Sequence, residues 1–207
     1  MEIILNAFID FISRSGSAKM TLARTIHSYL DVPQEVGKDY YYQSFISGIQ
    51  AFHAEGSSKK DLLQMMEGLP NNKKDSYREL IAGYMKFLGK TPNSSFEISS
   101  SIWKHGDIEV PILPALGLEL DGRKYIVLMH LKADKPTKDW LAIALTMMDS
   151  TLNKEDATCA VLDVRNSKLY PFEEEMKQLS PLLEGEATSL EIILGSMKVS
   201  AVEEENK

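Results

Sequence analysis

The spacing of the apolar residues changes at Pro92, and this change constrains the fold more than any other feature of the sequence. Before Pro92, apolar residues recur every third or fourth position, which is typical of helices with one buried face. The clearest such run consists of Tyr77, Leu80, Ile81, Tyr84 and Leu88. After Pro92 the period is two, as in the alternation from Phe96 to Ile102, which is typical of a half-buried strand. The sequence therefore predicts a helical N-terminal half followed by a sheet.

Five helices are predicted before the strands begin. The first stops at the Ser-Gly-Ser run 15–17 and the second ends before Pro33, because these residues interrupt helices. The third spans residues 38–54 and the fourth residues 59–69, while the fifth begins near residue 75 and is ended by Gly89. Residues 1–74 are thus predicted to be a helical region, and the fifth helix is expected to belong to the sheet that follows.

The predicted strands cover residues 96–102, 108–120, 124–132, 157–164 and 168–170, and a helix that is apolar on most sides covers residues 137–152. Pro111 and Pro114 interrupt the second run, so an edge, a bulge or a bend is expected there. Asp121-Gly122 is a strong signal for a two-residue hairpin turn. Two late helices, about 172–183 and 188–198, complete an α/β core over residues 75–198, and the acidic residues 199–207 are predicted to form a disordered tail.

The order of these elements predicts an α/β (α+β) fold with a mixed sheet. Three antiparallel strands followed by a helical crossover to a further strand give the order α-β-β-β-α-β. Over residues 75–170 this order resembles the core of the PD-(D/E)XK nuclease-like superfamily, which is restriction-endonuclease-like. The resemblance implies an acidic residue on the second core strand and an acid-x-Lys triplet on the third. The implied carboxylates bind a divalent metal, and the implied lysine positions or activates the attacking water.

The triplet at residues 130–132, His-Leu-Lys, stands in the place that this resemblance gives to the catalytic motif. Lys132 matches the pattern, whereas His130 stands where a carboxylate is expected. Mg²⁺ is a hard ion that prefers oxygen ligands, so an imidazole is a poor replacement. The resemblance is therefore to a degenerate member of the superfamily, with Lys132 and His130 as the candidate catalytic residues.

The register of the predicted hairpin indicates which acidic residue could reach this triplet. With Asp-Gly as the turn, the expected pairs are Leu120 with Arg123, Leu113 with His130, Pro111 with Lys132 and Glu109 with Asp134. Glu119 would lie roughly 20 Å from His130 at about 3.3 Å per residue, too far to share a metal with it. Glu109 would be diagonal to Lys132, with Asp107 near by. Glu109 and Asp107 are therefore the candidate metal ligands.

Charge and composition limit the kinds of partner. The net charge of −7 gives no general positive field to attract nucleic acid. The single cysteine, Cys159, cannot form an internal disulfide and lies in an apolar run, which fits a reducing compartment. The N-terminus lacks the basic region of a signal peptide, and no run approaches the roughly 18 apolar residues of a membrane span. A cytoplasmic protein without membrane contact is expected.

Other motifs carry little functional signal. His27, His53 and His105 lack the spacing of a zinc site, and no glycine-rich nucleotide-binding pattern is present. Asp163 lies in an apolar run two residues before Arg165. It is either a buried acid in a cleft or half of an Asp–Arg pair at the end of a strand, and we favour the pair because buried acids are usually paired.

Two functions remain open at this point. The first is a catalytically silent nuclease-like fold that acts as a protein-interaction or regulatory module, with a protein partner or a homo-oligomer and without a cofactor. The second is a Mg²⁺-dependent nuclease with an atypical site. In that alternative Glu109 or Asp107 binds the metal, Lys132 orients water, and His130 is an unusual ligand or base.

Overall fold

A computed structural model describes residues 1–30, 41–55, 59–64, 71–89, 93–152 and 156–205. Its helices are α1 Leu5–Ile12, α2 Gly16–Leu30, α3 Gln43–Glu55, α4 Lys59–Gln64, α5 Asn71–Leu88, α6 Lys138–Thr151 and α7 Ser180–Glu205, with a 3₁₀ helix at Glu174–Leu179. Its strands are β1 Asn93–Phe96, β2 Ser101–His105, β3 Ile108–Ile112, β4 Leu116–Leu120, β5 Arg123–His130, β6 Thr158–Asp163 and β7 Lys168–Pro171. The predicted start of the third helix (38–40), the predicted end of the fourth (65–69) and Pro92, where the apolar spacing changes, lie outside the described residues.

The strands form a five-stranded main sheet, in the order β1-β4-β5-β6-β7, and a small sheet of β2 and β3. In the main sheet β5 and β6 are parallel and the other neighbours are antiparallel. The predicted mixed α+β architecture is confirmed, and the order α-β-β-β-α-β is found as α5, β1, β4, β5, α6 and β6. The small sheet is a hairpin inserted between β1 and β4.

The prediction of one strand over residues 108–120 is wrong, because the chain passes from the small sheet to the main sheet at residues 113–115. The likewise continuous run 96–102 is divided between β1 and β2. Proline lacks an amide hydrogen and cannot extend a hydrogen-bonded ladder, so Pro114 is suited to the crossing point. Two strands in different sheets therefore replace one long strand.

The predicted hairpin between β4 and β5 is confirmed in the part next to its turn. The observed pairs are Leu120 with Arg123, Glu119 with Lys124, Leu118 with Tyr125 and Leu116 with Val127. Asp121 and Gly122 have φ values of 50° and 74°, as a type I′ turn requires. The pairs predicted further from the turn are wrong, because β4 begins at Leu116 and Glu109 pairs with Lys104 of β2 instead of with Asp134.

The first residues of the chain add a third, parallel segment to the small sheet. Glu109 donates its amide hydrogen to the Met1 carbonyl and accepts one from Ile3, both at 2.8 Å. Amide groups two residues apart on a strand point to the same side, so the nitrogen of Pro111 faces this N-terminal segment and not β2. Since that nitrogen carries no hydrogen, the parallel ladder stops there and the chain turns into α1.

Both faces of the main sheet are covered. On one face, α1, α2, α6 and α7 enclose a core together with the small sheet, and this core includes Phe8, Trp103 and Leu145. On the other face, α3, α4 and α5 pack on the sheet around Phe45, Tyr77 and Leu162. The predicted burial of α6 on most sides is confirmed. Helices from residues 1–74 thus contribute to both cores and are part of the α/β architecture.

The C-terminal helix is longer than the sequence indicated. The first predicted segment, 172–183, is a 3₁₀ helix at Glu174–Leu179 followed by the start of α7. From there α7 continues without a break through the second segment to Glu205, into the stretch 199–207 that was predicted to be a disordered tail. Alanine and glutamate favour helix, so residues 199–205 can extend it. Residues 206 and 207 lie outside the described part of the chain. Among the described helices, none has the length and apolar character needed to cross a membrane.

Candidate functional site

The candidate catalytic residues, His130 and Lys132, lie at the carboxyl end of β5, next to the carboxyl end of the parallel strand β6. In open α/β sheets such ends are common places for binding sites, because the chain leaves the sheet there in loops. The register pairs His130 of β5 with Asp163 of β6, and the crossover helix α6 begins shortly after β5. Paired residues of neighbouring parallel strands lie on the same face of the sheet, so His130 and Asp163 are neighbours on the face covered by α6.

His130 is a buried residue, with 6% of its surface exposed. Its Nε2 lies 2.7 Å from the carbonyl oxygen of Asp134, and since a carbonyl only accepts, Nε2 carries the hydrogen. Its ring meets the ring of Trp140 in a T-shaped contact with 5.1 Å between the centroids. Although it is a polar residue at the end of a strand, His130 does not face solvent. Its imidazole holds the loop after β5 against the first turn of α6.

Lys132 lies just beyond β5 and is exposed. It follows Leu131, whose side chain is buried in the core on the α5 face. The three residues of the triplet therefore have three different environments: an imidazole under α6, an aliphatic side chain under α5, and an ammonium group at the surface.

The structure does not bring the two candidate metal ligands to the sheet that carries this triplet. Glu109 lies on β3 of the small sheet, where its carboxylate accepts a hydrogen bond of 2.6 Å from Lys104. That hydrogen bond and the positive charge of Lys104 hold the pKa of Glu109 below its ordinary value. Asp107 is exposed in the β2–β3 turn, and its carbonyl accepts a hydrogen bond from the amino group of Met1.

The carboxylate nearest to His130 in the register is one that the sequence assigned to a structural pair. Asp163 is 1% exposed. Its two oxygens accept hydrogen bonds from Asn166, at 3.3 Å from the backbone nitrogen and 2.8 Å from Nδ2. The prediction that Arg165 is the partner of Asp163 is wrong, although Asp163 does fix the end of its strand. The turn after β6 folds Asn166 back onto Asp163, which a spacing rule for strands does not foresee.

Arg165 joins β5, β6 and α5 instead. Its Nε donates to the Leu131 carbonyl at 3.1 Å, and its guanidinium group also binds the Glu79 carboxylate and the Ser76 hydroxyl. The side chain is 12% exposed. A planar guanidinium with several donors suits such a junction, because each donor meets a different acceptor. These contacts of Arg165 hold the carboxyl ends of the two parallel strands against α5.

Gly83 of α5 approaches the end of β6 more closely than any other residue type could. A Cβ atom at this position would lie 2.1 Å from the Val164 carbonyl oxygen. The adjacent Ser167 hydroxyl donates to the Gly83 carbonyl at 2.8 Å. On this side too, the ends of the parallel strands are covered by direct backbone contact.

A second polar pair lies on the α5 face of the sheet. His53 of α3 and Tyr84 of α5 share a hydrogen bond of 2.6 Å between Nε2 and the phenolic oxygen. Burial lowers the pKa of His53 and raises the pKa of Tyr84 far above its ordinary value, so both groups are uncharged at neutral pH. Sequence reasoning considered His53 only as a zinc ligand and had no signal for this contact between two helices.

The site as a whole contains polar groups that are already bonded within the protein. Within the described residues no three histidine, cysteine, aspartate or glutamate side chains come together as a metal site would require. Family models, curated proteins and solved structures were compared with the chain, and none of them matches it. What the site can do therefore has to be inferred from its own residues.

Proposed function

We propose that this protein is a nuclease-like module without nuclease activity, which acts by binding other protein molecules. The observation that carries the proposal is the environment of His130, the residue at the position where the resemblance expects a metal-binding carboxylate. His130 is buried, and its Nε2 hydrogen bonds to the Asp134 carbonyl at 2.7 Å. A side chain used in this way is a structural part of the strand end, and imidazole is a softer ligand than Mg²⁺ prefers.

The position of Glu109 supports the same proposal. A metal-dependent phosphodiesterase needs carboxylates whose oxygens are open to the ion and close to the group that activates water. Glu109 lies in the small sheet, whereas Lys132 follows β5 of the main sheet, and the Glu109 carboxylate is engaged by Lys104 at 2.6 Å.

Protein is a more suitable partner than nucleic acid. The net charge of −7 opposes the approach of a phosphate backbone, whose binding depends on neutralisation by lysine and arginine. Large apolar side chains such as Ile102 and Leu113, exposed to 41% and 44%, are groups that contacts between proteins commonly bury.

The catalytic half of the proposal is tested with labelled single-stranded and double-stranded DNA and RNA, in the presence of Mg²⁺ or Mn²⁺. We expect no cleavage by the wild-type chain, and no change of its thermal midpoint on addition of metal. The variants are Lys132→Ala and, as a matched control, Lys135→Ala, which removes an exposed lysine of the same loop. Cleavage that is lost in Lys132→Ala and kept in Lys135→Ala would establish the Mg²⁺-dependent nuclease and overturn the proposal.

A further inference from the structure

The small sheet has one buried face and one face that points away from the core. Inward-pointing side chains alternate with outward-pointing ones along β2 and β3. The buried ones are Trp103, Ile108, Val110 and Ile112, and the outward ones are Ile102, Lys104, Glu109 and Pro111. The N-terminal segment continues the alternation, since Ile3 is buried while Glu2 and Ile4 are exposed.

The outward side chains form two rows across the three segments. Ile102 is paired with Pro111, and the parallel bridge between Glu2 and Glu109 brings Ile4 alongside Pro111 two residues further on. This gives an apolar row of Ile4, Pro111 and Ile102, followed by Leu113. The neighbouring row consists of charged residues, namely Glu2, Glu109 and Lys104. We call these seven side chains the outer face.

The apolar row is accessible. Ile4, Ile102 and Leu113 are exposed to 43%, 41% and 44%. Exposed large apolar residues are ordinary when they are scattered singly, whereas a contiguous row of them on one face of a sheet favours a surface that is buried in a contact.

We propose that the outer face binds the outer face of a second copy of this chain, around a two-fold axis that runs parallel to the strands. Such an axis reverses the lateral order of the three segments when the two faces meet. Ile102 of one copy then lies against Ile4 of the other, and Pro111 lies against Pro111 at the axis.

The charges select this arrangement. Lys104 lies at one edge of the charged row and Glu2 at the other, with Glu109 between them. Reversal of the lateral order places each Lys104 opposite Glu2 of the second copy and Glu109 opposite Glu109 near the axis. An axis perpendicular to the strands would instead reverse the strand direction and place the charged row opposite the apolar row. Within each copy Lys104 already binds Glu109 at 2.6 Å, which holds its ammonium group on this face. Opposite charges that meet across a face add specificity to its apolar contact.

The size of the outer face predicts a weak dimer. Two strands about five residues long at about 3.3 Å per residue and a shorter N-terminal segment, with about 4.8 Å between neighbours, give a patch no larger than roughly 14 Å by 16 Å. This is well below the roughly 800 Å² per partner that a standard stable interface buries. We therefore expect a transient dimer that forms at high protein concentration.

This inference deepens the proposed function, since it names one protein partner and the surface that receives it. It rests on that proposal only for the idea that the module acts through protein contacts. The nuclease assay and the measurement of self-association are separate, so the failure of one is distinguishable from the failure of the other.

Sedimentation velocity of the full chain tests the proposal, over concentrations from about 10 μM to about 1 mM, the range expected for an interface of this size. The sedimentation coefficient of the wild-type chain should rise toward that of a dimer. Ile102→Asp should weaken association on the order of a hundredfold, because each dimer carries the substitution twice, each time against the apolar Ile4 of the other copy. The matched control is Leu182→Asp, at a residue of α7 that is 49% exposed and lies outside the outer face, and it should associate like the wild-type chain.

Two further variants test the geometry. Pro111→Cys should be cross-linked to a dimer by a short bis-maleimide reagent, because Pro111 lies at the axis and facing sheets are about 10 Å apart; the native Cys159 is fully buried and does not compete. Leu182→Cys is the control for random collision.

Lys104→Glu should weaken the dimer, and the double variant Glu2→Lys/Lys104→Glu should restore it. A wild-type chain that stays monomeric over the whole range overturns the proposal, as does cross-linking of Pro111→Cys no faster than of Leu182→Cys.

Discussion

At the carboxyl ends of β5 and β6 the polar side chains are buried and bonded, whereas on the outer face of the small sheet apolar side chains are exposed. His130 and Asp163 are 6% and 1% exposed, while Ile102 is 41% exposed. The strand ends are where a resemblance of topology leads one to look for chemistry. The polar groups there hold loops and helices together. The exposed apolar side chains that another molecule could contact lie instead on the inserted hairpin. Topology thus indicates where a site would be, and burial indicates whether the residues there are free to act.

The largest expected effect comes from an added methyl group where α5 contacts the carboxyl end of β6. Gly83→Ala should lower the free energy of unfolding by about 3 kcal/mol, because the new methyl group meets the Val164 carbonyl oxygen and the α5 backbone has to move. For a chain of this length that corresponds to a thermal midpoint lower by roughly 6–12 °C. Circular dichroism during heating measures the change.

The control for this prediction is Gly185→Ala in α7, where an added Cβ has open space. Alanine is the better helix former, so this variant should be more stable than the wild-type chain by about 0.5–1 kcal/mol. Equal destabilisation by the two substitutions would contradict close packing at the end of β6.

The next largest effect compares the stability cost of replacing the buried His130 with that of replacing the exposed Lys132 of the same triplet. His130→Ala should cost about 2 kcal/mol of stability, since it removes the ring from beside Trp140 and deprives the Asp134 carbonyl of its donor. Lys132→Ala, two residues away at the surface, should change stability by less than about 0.5 kcal/mol. Urea unfolding of the two variants beside the wild-type chain provides the comparison. If His130→Ala leaves the stability unchanged, the His130 side chain is not needed for the fold and is free for another role.

The smallest expected effect is the dependence of stability on pH that arises from His53. Burial lowers the pKa of His53 in the folded chain, so the unfolded chain binds a proton more readily than the folded one. The stability associated with His53 is therefore fully present above the unfolded pKa of about 6.5 and decreases as the pH falls from there toward the folded pKa.

His53→Gln removes this titration and should flatten the dependence of the thermal midpoint on pH below about 6.5. The quantity to compare is the difference between variant and wild type across the pH series, because every other residue is common to the two chains. If the two curves run parallel through the acid range, the buried His53–Tyr84 contact does not make stability depend on pH.

Local sequence signals predicted those parts of the fold that depend on neighbouring residues. The Asp121-Gly122 turn fixed the register of the pairs from Leu120 to Leu116, because a two-residue turn leaves no freedom in the pairing next to it. The helix α6 and the apolar strand β6 were also predicted, since each has a pattern of its own. Proline at 111 and 114 indicated an irregularity without indicating which kind.

The candidate site was predicted less well, because its contacts join residues distant in sequence. Spacing along a strand suggested Arg165 as the partner of Asp163, whereas the guanidinium group reaches α5, more than eighty residues earlier, and a local turn supplies Asn166. Glu109 was expected near Lys132 because one long strand was assumed. The split of that strand between two sheets removed the pairing on which the expectation depended.

The sequence by itself determined the helical N-terminal half, the change from helical to strand structure, the hairpin turn and the acidic charge, because each follows from residues close together in the chain. Only the tertiary structure decided that residues 108–112 leave the main sheet, that His130 is buried against Trp140, and that Ile4, Pro111 and Ile102 form one exposed row. The physical reason is that burial depends on which surfaces meet, and surfaces that meet are assembled from segments far apart in the chain.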